Sequence, residues 1–336
     1  MALKKLGSQT VKFDNPPSII ATASIVGPVE GKGPLKDYFD LILNDFHFQE
    51  KTWEKAEKKM LKEAVEMAIK KSGIPSEEIE YFIAGDLLNQ IIAASYAARE
   101  LGIPFYGIYG ACSTIAEGLG LGAMLVDGGY ADNLVVGTSS HFCSAERQYR
   151  FPLELGNQRP PTAQRTVTGA GAAVISTKNR NPRITYVTTG KVIDMGAADP
   201  YDMGSAMAPA AVDTIIKHLE DSKRSPEDYD LILTGDLASF GKDIAEKLLK
   251  QNGFDVSNRY TDCGLLIYSP QQDVHAGGSG CACAAVVTFG YIFKEMQKGR
   301  YNRILLVATG ALLSSTSVQQ GETIPCIAHA VAIENL

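Results

Sequence analysis

Apolar residues recur every fourth position in two long stretches of the chain. In EKAEKKMLKEAVEMAIKKSG (54–73) they fall at Ala56, Met60, Ala64 and Ala68, and in APAAVDTIIKHLEDS (208–222) at Ala211, Ile215 and Leu219. That spacing puts one apolar stripe on each of two amphipathic helices. Thr52 is placed to cap the first helix, and Gly73 followed by Pro75 to stop it. Four shorter runs, FIAG (82–85), LVVG (134–137), LILTG (231–235) and LLVA (305–308), are apolar without alternation. Such runs predict strands covered on both faces, and their alternation with helices predicts an α/β protein with a mostly parallel sheet.

The pattern occurs twice. SEEIEYFIAGDL (76–87) aligns without a gap on PEDYDLILTGDL (226–237), so Asp86 and Asp236 are equivalent. CSTIAEGLGLGAMLVDGGYADNLVVGTSS (112–140) aligns likewise on CAAVVTFGYIFKEMQKGRYNRILLVATGA (283–311). Two α/β halves related by pseudo-twofold symmetry, residues 1–180 carrying Cys112 and residues 181–336, account for both matches.

Composition narrows the function classes. The chain has 336 residues, 45% of them hydrophobic, and a net charge of −6 with acidic and basic residues interspersed, so no basic face marks it for nucleic acid. No apolar stretch reaches the ~18 residues of a membrane span, and the expected location is cytoplasmic. Six cysteines without C-x-x-C pairing or zinc-type histidine spacing predict neither a disulfide framework nor a metal site. Gly118 to Ala123 (GLGLGA), Gly169-Ala170-Gly171 and Cys281-Ala282-Cys283 read as close packing, since GLGLGA lacks the spacing of a dinucleotide-binding turn.

The duplicated unit, the GACST turn (110–114) and TVTGAGAAVIS (166–176) resemble the thiolase-like fold, a five-layer αβαβα arrangement, and within it the ketoacyl-acyl-carrier-protein synthases. ADPYDMGSAMAPAA (198–211), HAGGSGCACAAVVTFG (275–290), ATGALLS (308–314) and IPCIAHA (324–330) are similar to the stage V sporulation protein AD family of spore-forming bacteria. That resemblance spans nearly the whole chain. It implies binding of pyridine-2,6-dicarboxylic acid (dipicolinic acid), free or as its calcium chelate, for uptake into the developing spore. It further implies membrane-embedded SpoVA partners at the spore inner membrane, a homodimer formed through an edge strand, and no cofactor beyond calcium carried with the ligand.

By the synthase resemblance Cys112 matches the nucleophile at a helix start. Its expected partners do not match. Thr234-Gly235-Asp236 stands where the synthases carry the first histidine, and Gly277-Gly278-Ser279-Gly280 where they carry the second partner. Losing a positioned acid or base costs about 10²–10⁴-fold, so the reading is of a site that binds and no longer condenses. Its candidate ligand contacts are Cys112, Asp86, Asn89, His141, Asp236, Gly277, Gly278 and Ser279. Amides at the Cys112 helix and in the glycine loop suit a carboxylate, and Arg147, Arg150, Arg159 or Arg165 offers a bidentate grip. Asp86 or Asp236 would complete a calcium shell. Competing readings make Asp86 a helix cap, His141 an ordinary strand-end residue and the arginines a solvated loop. His275 aligns poorly with a catalytic role. An active acyltransferase using Cys112, and a scaffold with a vestigial pocket, stand as alternative functions.

Overall fold

The computed structural model describes residues 4–149, 156 and 158–336. The two periodic stretches form the helices Trp53–Ser72 and Met203–Ser222. Thr52 Oγ1 accepts from the Lys55 amide at 3.3 Å, and Gly73, at φ 70°, ends the first helix in the left-handed region. Ala56, Met60, Ala64, Ala68, Ala211, Ile215 and Leu219 are all buried. The stripes read from the sequence are therefore the faces that pack.

Each half builds a five-stranded sheet of the same order. The first runs Ser18–Val26, Gly169–Ser176, Asn133–Ser140, Tyr81–Gly85, Phe105–Gly107, and the second Arg183–Thr188, Cys326–Glu334, Arg303–Ala311, Leu231–Thr234, Tyr260–Asp262. In both, the first two junctions are antiparallel and the last two parallel. The sheets meet at the single antiparallel pair Arg183–Ser18. Helix Thr114–Asp127 contacts strands of both sheets and touches the helix that begins at Cys281, so these two form the middle layer. Helices Trp53–Ser72 and Ile92–Leu101 cover the outer face of one sheet, and Met203–Ser222 covers the other with Ala238–Gln251 packed against it. This is the five-layer order the resemblance implies.

A helix sandwiched between two sheets needs small residues on opposite sides. A Cβ on Gly120 would stand 2.9 Å from Val187 of the second sheet, and one on Gly122 2.9 Å from Ile175 and Leu134 of the first. The GLGLGA run is thus explained by approach, not by nucleotide binding. The carboxyl ends of the parallel strands Tyr81–Gly85 and Leu231–Thr234 lead directly into the two Gly-Asp-Leu turns, the end of an α/β sheet where ligand sites form. Among the described residues no helix is long and apolar enough to cross a membrane.

Candidate functional site

Cys112 sits on a sharp turn. Ala111 before it has φ 49°, an uncommon value for a residue with a Cβ, and Ser113 and Thr114 donate back to the carbonyls of Gly110 and Ala111 at 3.0 and 3.2 Å. The turn aims the thiol into a cavity that opens to solvent. Leu87, Tyr109, Ala145, Tyr149, Met203 and Leu313 give that cavity a mostly apolar wall, and Thr166, Ser279 and Gly280 complete it beside the cysteine.

Behind the thiol lies Asp236. Its buried carboxylate accepts from Thr309 Oγ1 at 2.6 Å and from the Gly280 amide at 3.1 Å, and its charge bears on the Cys112 thiol. Burial pushes Asp236 up to about 6, the hydrogen bonds from Thr309 and Gly280 opposing the rise. Burial, then the Asp236 charge and neighbouring Cys281, hold the Cys112 thiol well above the usual thiol range. The helix start does not overcome these effects. At neutral pH the sulfur carries its proton, opposite to the state a nucleophilic thiol needs.

The two repeat-related aspartates have diverged. Asp86 is buried and spends its oxygens on the amides of Leu88 at 2.8 Å and Ala94 at 2.7 Å. In the second half that work belongs to Asp262, which accepts from the Leu237, Ala238 and Gly264 amides at 2.8 to 2.9 Å and from Thr234 Oγ1 at 2.7 Å. With its own turn held by Asp262, Asp236 is free to face Cys112. Asp86 is therefore a helix-start residue outside the cavity wall, which corrects its reading as a ligand contact or calcium ligand.

Several other expectations change. Fully buried His141 meets the Phe46 carbonyl through Nε2 at 2.8 Å and accepts the Cys143 amide on Nδ1 at 3.2 Å, while burial lowers its pKa to about 4. It is a neutral strand-end residue and not a pocket residue. Gly277 and Gly278 lie in a short strand paired in parallel with Gln164 and Arg165 and do not line the cavity, which only Ser279 and Gly280 of that loop reach. The Gly280 amide is spent on Asp236, and Ser113 and Thr114 amides on their own turn. Three of the amides expected to cradle a carboxylate are thus committed internally. His275 is an exposed turn residue. Asn89 lines a neighbouring groove, its amide donating to Gln148 Oε1 at 3.1 Å.

None of the described arginines lines the cavity. Arg147 pairs with Glu54 on the surface and stacks over Trp53 at 5.3 Å, while Arg159 and Arg165 lie over the Phe142 ring at 5.8 and 3.8 Å. Arg150 lies outside the described residues. The residues not anticipated are Tyr109, Tyr149, Thr309 and Glu57. Glu57 was legible in principle, because it stands one turn before Leu61 on the buried side of its helix.

Paired sheets around two central helices, with a cysteine opening one of them, define a thiolase-like protein. The 3-oxoacyl-[acyl-carrier-protein] synthase III of Aquifex aeolicus VF5 shares the fold at TM-score 0.61 and 14% identity over 95% of this chain and 100% of that one. Cerulenin-bound OleA of Xanthomonas campestris does so at TM-score 0.62 and 16% identity over 96% and 98%. The chain belongs to the Stage V sporulation protein AD (SpoVAD) family, whose family model matches residues 7–334. Stage V sporulation protein AD of Bacillus subtilis (strain 168) is 50% identical over 332 residues, 99% of this chain and 98% of that protein.

Proposed function

We propose that the cavity over Cys112 is a retired condensing site that binds pyridine-2,6-dicarboxylic acid without transforming it, in the uptake of this diacid during sporulation alongside membrane-embedded SpoVA partners. The observation that carries the reading is the buried Asp236 carboxylate, whose charge bears on Cys112, in the position where the synthases this chain resembles carry a histidine. A carboxylate there keeps the sulfur protonated and supplies no neutral donor for an enolate oxygen. What remains is a shaped, largely apolar cavity.

The lining also favours one form of the ligand. A bare dianion in an apolar cavity beside Asp236, with no described arginine on its wall, would pay a large desolvation and repulsion cost. In the calcium chelate the metal neutralises both carboxylates. The chelate is therefore the form the site accepts, with calcium brought by the ligand and not held by Asp86 or Asp236.

Calorimetric titration with pyridine-2,6-dicarboxylate tests this reading, and saturable binding that tightens when calcium is added is the expected result. Incubation of the same protein with acyl thioesters is expected to leave its intact mass unchanged. No binding at millimolar ligand would refute the reading, and an acyl adduct on Cys112 would establish the transferase alternative instead.

A further inference from the structure

The cavity over Cys112 and the groove beside it share three lining residues, Tyr109, Tyr149 and Leu313. The groove is polar, with Asn89, Gln90, Gln148, Ser314 and Ser315 along it. The hydroxyls of Tyr109 and Tyr149 meet at 3.1 Å between these two spaces. Tyr149 gives its own proton to the Leu87 carbonyl, so Tyr109 is the donor in the pair. The Leu87 carbonyl has a second donor, Gln148 Nε2 at 3.1 Å. Tyr149 can therefore turn its O–H elsewhere without leaving that carbonyl unpaired, and Tyr109 is released when the pair parts.

Resting on the diacid reading above, we infer that Tyr109 and Tyr149 are the groups that recognise the two carboxylates of the ligand: the pair parts, and each phenol donates its O–H to one carboxylate. Neutral donors suit this place, because the cavity wall on one side of them is apolar, the groove on the other carries no charged side chain, and the neutralised chelate needs hydrogen bonds more than countercharge. Burial raises the pKa of both phenols, so both keep their protons throughout the neutral range. The same two rings stand between the groove and Cys112, so a ligand that enters by the groove meets them first.

The test compares pyridine-2,6-dicarboxylate with pyridine-2-carboxylate, which lacks one carboxylate, each titrated with calcium into the full chain and into Tyr109→Phe, Tyr149→Phe and the double variant. Phenylalanine keeps each ring and removes only the hydroxyl. The wild-type chain is expected to prefer the diacid. Each single change should weaken diacid binding by roughly tenfold or more, the usual cost of losing a hydrogen bond to a charged group. Monoacid binding should move far less, and the double variant should bind the two acids nearly alike. Thermal unfolding midpoints verify folding, with Tyr109→Phe the cleaner variant because Tyr109 makes no bond to Leu87. Wild-type binding with unchanged diacid preference in folded phenylalanine variants would overturn the inference and leave the diacid reading standing. Absence of diacid binding to the wild-type chain would overturn both.

Discussion

Asp236→Asn is expected to speed alkylation of Cys112 by iodoacetamide by about tenfold or more at pH 7.5, read as the Cys112 peptide mass over time. The thiolate is the reacting form, and each unit by which a thiol pKa falls raises its thiolate fraction about tenfold while the thiol is mostly protonated. Asparagine keeps the size of the side chain, its oxygen can accept from the Gly280 amide while its NH2 donates to the Thr309 hydroxyl oxygen, and it removes the charge that opposes the thiolate. The pH profile of the reaction should move toward lower pH in the variant. Equal rates and superimposable profiles would mean that burial alone suppresses the sulfur, and Asp236 would lose its part in retiring the site. Cys143 serves as an internal control, since it is buried and the Asp236 charge is not among the influences on its thiol.

The second large effect concerns stability against pH, and it comes from a buried carboxyl pair. Glu57 is fully buried, accepts from Ser139 Oγ at 3.2 Å and Ser144 Oγ at 3.0 Å, and neighbours Asp86. Burial, then the Asp86 charge, raises Glu57 to about 8 from 4.5, so the fold holds a proton that the unfolded chain has released. Where the native state binds more protons, stability falls as pH rises, by about 1.4 kcal/mol per pH unit for one full proton. Below 6.5 this trend is opposed by His141, His218 and His329, whose burial lowers them to about 4, 3 and 4. They stay neutral while the unfolded chain takes up protons, and their contribution to stability is lost as pH falls toward those values. From about pH 7.5 upward these histidines are neutral in both states, and the extra proton of the fold sits mainly on Glu57, with a remnant on buried Asp262, which is raised to about 7. Unfolding free energy from urea titrations is therefore expected to drop by about 1 kcal/mol from pH 7.5 to 8.5. Glu57→Gln, which keeps the side chain neutral at every pH, should flatten that slope. A slope that survives in Glu57→Gln would assign the proton to another group.

The sequence carried the duplication because repeats survive in local pattern. The stripe Ala56–Met60–Ala64–Ala68 and the unalternating strands were legible as packing faces, and the equivalence of Asp86 and Asp236 as a shared turn. What each aspartate faces was not legible. It depends on Asp262, far along the chain, taking the amides that Asp86 takes in its own half. His141 was read from the direction of its strand, but the end of a strand does not fix where a ring turns, and a carbonyl at Phe46 captured it. The arginines of residues 141–165 drew attention by charge, while Tyr149 in the same segment and Tyr109 beside the GACST turn passed as ordinary aromatics. Their hydroxyls converge only once two separate elements are folded against one cavity. Local periodicity fixes elements, and tertiary approach decides which polar atoms meet.

The central claim is that diacid occupies the space over Cys112, and protection of that one thiol tests it most directly. Alkylation of Cys112 by iodoacetamide, in the Asp236→Asn variant where the reaction is fast enough to follow, would be timed across a series of calcium dipicolinate concentrations. The account expects the rate to fall along the same saturation curve that calorimetry gives for that variant, because the ligand covers the sulfur. A rate that stays constant while the ligand is bound would place the diacid elsewhere on the protein and contradict the account.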